Sequence, residues 1–271
     1  MFIKRFKILA LFLINTLLII CLSACQTGSN TASATNTQTS TPTVSVHTIQ
    51  PAATTSHAPK DNSLSGYVIG LDPGHQLKGN NNLEPSGPNS SVKKAKVTTG
   101  ATGNDTGIRE QHINLVVALK LKKALEEKGA TVVMTRTTED VDISNKQRAQ
   151  LLNNAKVDIA IRIHCDSSDT RSVHGLSILV PDSKNNASIY TESKRLANCL
   201  IGSLCKSTGA VNRGVVQRDD QTGFNWSTVP VVTVEMGFLS NSSEEANLVS
   251  SAYQDKLVSG YVQGIIDYFH N

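Results

Sequence analysis

The distribution of apolar and polar residues along positions 66–271 follows two periods. Short runs of β-branched and apolar residues predict strands, whereas apolar residues spaced three or four positions apart predict helices. The predicted strands span 67–71, 131–135, 157–163, 176–180 and 229–234. The predicted helices span 110–128, 144–155 and 187–208, and a last helix carries an apolar stripe at 253, 257, 261 and 265. Because strands alternate with helices, the pattern predicts a single α/β domain with a mostly parallel or mixed sheet.

Between the first strand and the first helix, the stretch 76–107 breaks this alternation. It is rich in Gly, Asn, Ser and Pro and has almost no apolar periodicity, which predicts a long loop. Loops of this length inside compact domains are usually functional or disordered. The stretch is therefore a candidate to line or cover a substrate groove.

The N-terminus has the pattern of an export signal. Three basic residues within the first seven positions precede an apolar run that is too short for a stable transmembrane helix. The Leu-Ser-Ala-Cys that follows resembles a bacterial lipobox, in which the chain is cut before the cysteine and the thiol is acylated. We therefore predict a lipoprotein signal peptide over 1–24, a lipidated Cys25 and a position on the extracytoplasmic face of a bacterial membrane. The alternative is an ordinary cleavage site with a chance cysteine.

Composition then separates a tether from a folded domain. Residues 25–65 are rich in Thr, Ser, Ala and Asn, which predicts a flexible segment. The remaining residues, 66–271, are enough for one domain with its own core. The chain has 26 basic and 22 acidic residues, but removing 1–24 takes away three cations and leaves 23 against 22. This near balance gives no electrostatic reason to expect nucleic acid as a partner.

Side chains able to bind a metal follow three of the predicted strands. These strands run into His75, His164 and Glu235, and Glu110 begins the first predicted helix. In α/β sheets, ligands bind beyond the carboxyl ends of the strands. Two histidines and one carboxylate form a known catalytic zinc set, and Glu235 could then act as general base. Each residue alone also fits a plainer role, such as a hydrogen-bonded loop histidine or a carboxylate in a first helical turn.

Four segments together resemble the zinc-dependent N-acetylmuramoyl-L-alanine amidases with a type-3 catalytic domain. Residues 68–75 resemble the opening motif, and Glu110 with the Asn-Leu pair that follows it four positions later resembles the second. Residues 161–164 resemble the third motif, and 234–241 resemble the fourth. The four occur in the family's order, and the resemblance covers essentially 66–271.

This resemblance implies a fold, a reaction and a set of site residues. The fold would be a twisted mixed sheet with helices on both faces. His75, Glu110 and His164 would bind zinc, and Glu235 would activate a water that hydrolyses the amide between the lactyl group of N-acetylmuramic acid and L-alanine in peptidoglycan. The family usually has alanine after the third motif's histidine, where this chain has Cys165. We expect that thiol to be inert and half-buried.

Five further residues have no motif to assign them. His112 and His174 are candidates to touch substrate, although both fit loop or surface roles better. Trp226 suits core packing, with stacking on a sugar or peptide as the alternative. Arg162 and Arg218 are candidates to pair with a carboxylate of the stem peptide.

Two other functions compete with the amidase. A zinc peptidase acting within the stem peptide could use the same metal set. A lipid-tethered protein that only binds solutes or the cell wall is the non-enzymatic alternative, but the presence of Glu235 beside the metal ligands disfavours it. The need for an activating protein partner is not visible in the sequence.

Overall fold

The computed structural model of the protein describes residues 61–271, and its main element is a six-stranded sheet. The strands of this sheet are β1 (Val68–Pro73), β4 (Thr131–Met134), β5 (Ile159–Asp166), β6 (Leu176–Pro181), β7 (Asn212–Arg218) and β8 (Val231–Phe238). A separate hairpin consists of β2 (Asn80–Pro85) and β3 (Lys93–Val97). The helices are α1 (Glu110–Glu127), α2 (Asn145–Asn154), α3 (Ala187–Thr208), α4 (Thr222–Asn225), α5 (Ser242–Val249) and α6 (Ser251–His270).

The sheet is mixed, as the sequence predicted. Its strand order is β4-β1-β5-β8-β6-β7. The first four of these strands are parallel, β6 is antiparallel to β8, and β7 is parallel to β6. The carboxyl ends of β1, β5 and β8 therefore lie side by side at one edge of the sheet.

Helices cover both faces of the sheet because side chains alternate along each strand. On β5, Ile161 and Ile163 belong to the larger hydrophobic cluster, into which α1, α3 and α6 pack. Their neighbour Ala160 belongs to the smaller cluster on the opposite face, with Leu152 of α2 and Phe224 of α4. The prediction of a single α/β domain with helices on both faces is confirmed.

The structure departs from the predicted elements in the stretch 76–107. This stretch is not a structureless loop, because it contains the hairpin β2–β3. Its first strand begins with three asparagines and exposes three of its six residues, so the apolar alternation that marks a strand is missing. Hydrogen bonds hold the hairpin to the domain instead: Trp226 Nε1 donates to the carbonyl of Pro85 at 2.9 Å, and the backbone N–H of Lys146 donates to Glu84 at 3.0 Å.

The other elements that the sequence analysis missed are short or exposed. They are the edge strand β7 and the helices α4 and α5. Among residues 61–271, no helix is both long enough and apolar enough to span a membrane. The predicted signal peptide, Cys25 and nearly all of the predicted tether lie outside the described residues.

Candidate metal centre

A tight turn after β1 presents His75, and two buried arginines hold that turn in place. Arg136 donates to the carbonyls of Pro73 and Gly74, both at 2.9 Å. Arg148 donates to the carbonyls of Pro73 and His75, also at 2.9 Å. His75 itself has φ +58°, a conformation that non-glycine residues adopt rarely and at a cost in energy. The hydrogen bonds from the two arginines stabilise this strained backbone.

The glycine of the turn is required by a close approach to His164. A Cβ atom on Gly74 would lie 2.2 Å from the imidazole ring of His164, well inside van der Waals contact. Any larger residue at this position would therefore displace the imidazole ring of His164. The two histidine rings meet edge to face, with their centroids 4.9 Å apart.

The tautomer of His75 follows from its neighbour. The Nδ1 atom of His75 lies 2.8 Å from the carbonyl oxygen of Thr98. A carbonyl oxygen can only accept, so Nδ1 carries the proton and Nε2 has the free lone pair when the ring is neutral. This arrangement is typical of metal-binding histidines, whose second nitrogen donates to a carbonyl or carboxylate.

Glu110 is the first residue of α1 and is 2% exposed. Its carboxylate accepts hydrogen bonds from the backbone N–H groups of Ala101 (2.8 Å) and Cys165 (3.2 Å) and from the side chain of Asn114 (3.2 Å). Burial raises the pKa of Glu110, but the adjacent imidazole rings of His164 and His75 hold that pKa well below its usual value. The group is therefore an ionised carboxylate with a fixed orientation.

These three side chains converge on one point. His75 Nε2 lies 3.2 Å from one carboxylate oxygen of Glu110, and His164 Nδ1 lies 3.0 Å from the other. One ligand atom from each residue falls within 4.8 Å of the others. Burial lowers the pKa of His164 to about 4, which leaves its imidazole neutral and able to bind a metal. Two histidines and a carboxylate are a donor set that catalytic Zn²⁺ uses, so the residues present fit this ion.

Glu235 lies on β8 directly beside His164, with which it pairs in register. Within the described part of the chain, its Oε2 atom is buried and has no hydrogen-bond partner. Burial raises the pKa of Glu235 well above its usual value, and the charges of Glu110 and Asp166 act in the same direction. A carboxylate with a raised pKa next to a metal-ligand cluster is suited to accept and return a proton.

Cys165 is more deeply buried than the sequence analysis expected. The residue is 4% exposed rather than half-buried, and its Sγ lies 3.7 Å from the side-chain oxygen of Asn114. Burial raises the pKa of this thiol well above its usual value. The thiolate form, which binds metals, is therefore disfavoured.

The two unassigned histidines lie outside the cluster of candidate metal ligands. His112 Nδ1 lies 2.7 Å from a carboxylate oxygen of Glu139. His174 Nδ1 lies 2.9 Å from the carbonyl of Ser172. Both rings are tied to surface partners, so neither belongs to the metal centre.

The residues that the sequence analysis left unassigned near the site fall into two groups. Arg162 is buried and donates to Asp72 at 3.0 Å, whereas Arg218 is largely exposed and pairs with Asp220. Trp226 is partly buried, in keeping with a packing role.

The structure adds Asp72, Arg136 and Arg148, a buried charged group that sequence reasoning did not assign. Nothing in the local sequence distinguishes these arginines from exposed ones, since their partners are distant in the chain.

The chain matches proteins of known activity over nearly all of the described residues. Residues 69–267 match the family model Amidase_3, N-acetylmuramoyl-L-alanine amidase. The germination-specific N-acetylmuramoyl-L-alanine amidase of Bacillus subtilis is 28% identical over 220 residues, which cover 76% of this chain and 81% of that protein. N-acetylmuramoyl-L-alanine amidase LytC of the same organism is 28% identical over 208 residues, or 77% of this chain but 36% of LytC.

A solved structure shares the same fold. The crystal structure of the apo form of the amidase Ami1 from Mycobacterium abscessus has a TM-score of 0.70 and 27% sequence identity. The match covers 76% of this chain and 100% of that one. Because the family model matches most of the sequence, this chain belongs to the N-acetylmuramoyl-L-alanine amidase family and is a peptidoglycan amidase.

Proposed function

We propose that this amidase is zinc-dependent and cleaves the amide between the lactyl group of N-acetylmuramic acid and L-alanine. His75, Glu110 and His164 would hold one zinc ion, which would supply a Lewis acid for the amide carbonyl and for the attacking water. The observation that carries this proposal is the convergence of three ligand atoms within 4.8 Å, next to the buried and unpaired carboxylate oxygen of Glu235.

The proton transfers of this reaction would be made by Glu235. Its carboxylate takes a proton from the attacking water as the oxygen adds to the amide carbon. The same group then gives that proton to the nitrogen of L-alanine as the carbon–nitrogen bond breaks. A general acid–base catalyst works best when its pKa lies near the pH of the reaction. The raised pKa of Glu235 shifts this carboxyl group toward neutral pH, so it can both accept and return the proton.

Other residues of the chain would keep the ligands in position. Asn114 and two backbone N–H groups fix the carboxylate of Glu110. The carbonyl of Thr98 orients the ring of His75, and Arg148 fixes the backbone of the same residue. Such outer partners set the orientation and basicity of metal ligands.

The product of the reaction tests this function against its alternatives. Purified peptidoglycan digested with the protein should yield glycan chains free of peptide and stem peptides with a new free amino group on L-alanine, as measured by mass spectrometry. A peptidase acting within the stem would leave L-alanine attached to the sugar and release other fragments. A binding protein would release nothing, and either result would contradict the proposal.

The export signal supports a further part of the proposal, that the enzyme is anchored by lipid to the outer face of the membrane. A lipobox-like sequence ends at Cys25 after a short apolar run, and two acyl chains would be sufficient for stable anchoring. The wild-type protein should then fractionate with membranes, and Cys25→Ala should lose its lipid modification. A freely soluble and unmodified wild-type protein would contradict this anchor.

A further inference from the structure

A polar cavity of about 450 Å³ lies between strand β3 and the segment that leads into α4. Its lining includes Lys94, Thr98, Arg162 and Arg218, together with polar residues of the loop before α4. Thr98 connects the cavity to the metal centre, because its carbonyl oxygen accepts the hydrogen bond of His75 Nδ1. Arg162 is a second link between the cavity and the metal centre, because it lines the cavity and lies on β5 two positions before His164. A group bound in this cavity would therefore lie on the side of the metal centre formed by Thr98 and Arg162.

The lining of this cavity carries an excess of positive charge. Three cations, Lys94, Arg162 and Arg218, face a single carboxylate in the lining, Asp220. Arg162 forms an ion pair with Asp72, which is not in the lining. The same carboxylate also forms an ion pair with Arg148. One carboxylate therefore serves two buried arginines, and a second serves Lys94 and Arg218. Asp219 and Glu235 also act on Arg218 from outside the lining, but within the lining itself the cations outnumber the carboxylates.

Arg218 can accept an anion without losing its present partner. Its Nε and Nη2 atoms donate to the two carboxylate oxygens of Asp220 at 2.9 and 3.0 Å. A guanidinium carries five N–H donors, so the edge formed by Nη1 and Nη2 remains for a second carboxylate. The side chains of Arg218 and Lys94 are 45% and 39% exposed, which makes both accessible to a ligand.

The chemistry of the substrate determines which part would bind here. In an uncut muropeptide, the carboxyl group of the lactyl arm is consumed in the scissile amide, and the acetamido and hydroxyl groups of the sugars are neutral. Free carboxylates therefore occur only on the peptide side of the bond. A cationic cavity linked to the metal centre by Thr98 and Arg162 is complementary to that side.

We propose that this cavity is a subsite for a carboxylate of the stem peptide, which Arg218 binds through its free edge with support from Lys94. The subsite deepens the proposed function and rests on it. It would place the L-alanine end of the substrate toward β7 and the sugar on the opposite side of the metal centre. It also predicts that the enzyme discriminates between stem peptides by their charge.

The test compares two preparations of the same muropeptides, one with free stem carboxylates and one with those carboxylates converted to primary amides. Dissociation constants are measured by calorimetry on Glu235→Gln, and kcat/KM on the wild type. We expect the free acids to be favoured about tenfold, the value of one charge-assisted hydrogen bond at a partly exposed site. Introducing Arg218→Gln should reduce this ratio to near one, and Arg218→Lys should give an intermediate ratio.

Arg213→Gln is the matched control, because Arg213 lies on the same strand β7 but contacts the carbonyl of His174 and the ring of Phe238. This variant should keep the tenfold ratio. Equal affinities for the two preparations, or a ratio that Arg218→Gln leaves unchanged, would overturn the subsite. Cleavage of both preparations at equal rates would overturn the subsite but not the amidase reaction. A tenfold binding ratio without cleavage at the L-alanine amide would overturn the amidase reaction but not the subsite.

Discussion

Aspartate–arginine pairs occur both at the metal centre and at the rim of the sheet near β7, in opposite environments. Asp72 binds Arg148 and Arg162, and the exposure of these three side chains is between 1% and 9%. Asp220 binds Arg218, and both side chains are more than 40% exposed. The buried pairs fix one backbone geometry, whereas the exposed pair can admit a further partner. Under the functions proposed above, the centre would determine whether the reaction occurs and the rim would determine which substrate is preferred.

The largest effect should come from losing a metal ligand at the centre. We expect His164→Ala to lose stoichiometric zinc and nearly all activity, because one of three donor groups is removed and the open position is no longer defined. Zinc content is measured by atomic emission and activity by release of stem peptides. His174→Ala, a histidine on the surface, should keep both. Full zinc content and full rate in His164→Ala would contradict the ligand assignment.

The next effect separates proton transfer from metal binding. Glu235→Gln should keep the fold and the zinc, since the side-chain shape is nearly unchanged. The rate should fall by roughly 10²–10⁴-fold, the usual contribution of a general acid–base group. Glu127→Gln, a change at an exposed glutamate at the end of α1, should leave the rate unaltered. If Glu235→Gln instead loses its zinc, Glu235 is a ligand and the proposed roles are wrong.

The strongly periodic elements of this molecule were predictable, and so was the meeting of His75, Glu110 and His164. Strands β1, β5 and β8 are buried apolar runs, and the carboxyl ends of adjacent parallel strands meet at one sheet edge. The structure brings the three side chains together, while their roles stay predictions.

The supporting network could not be predicted for a physical reason. The sequence pattern predicts a solvent-exposed arginine at position 148, on a polar helix. In the structure Arg148 is 1% exposed and binds Asp72, which lies 76 positions away. Strand β7 was missed for a different reason, because an exposed edge strand with a glycine inside it has no alternating apolar face. Long-range polar contacts leave no local periodicity, and an exposed edge strand has no apolar alternation, so neither feature appears in a sequence pattern.

The third prediction tests the buried side of the comparison through stability. Asp72→Asn leaves two buried arginines without a counter-charge, and breaking such a pair costs about 3–5 kcal/mol of unfolding free energy. The arginines and Thr135 hold the pKa of Asp72 well below its usual value even though burial raises it. Its contribution is therefore present above the unfolded pKa of about 4 and is lost as the pH falls toward the folded pKa. Denaturant unfolding of both proteins at neutral pH and near pH 3 should show the difference shrinking in acid.

The smallest effect should come from the same substitution at the rim. Asp220→Asn removes the partner of Arg218 and Lys94, but exposed ion pairs contribute at most about 1 kcal/mol because water and salt screen them. We expect a change in unfolding free energy below that value, which a rise in ionic strength reduces further. Substrate preference should change more than stability. Arg218 loses its two hydrogen bonds to the carboxylate of Asp220, and the cavity loses one negative charge. A destabilisation equal to that of Asp72→Asn would show that the rim is as rigid as the centre, and the distinction between the two regions would fail.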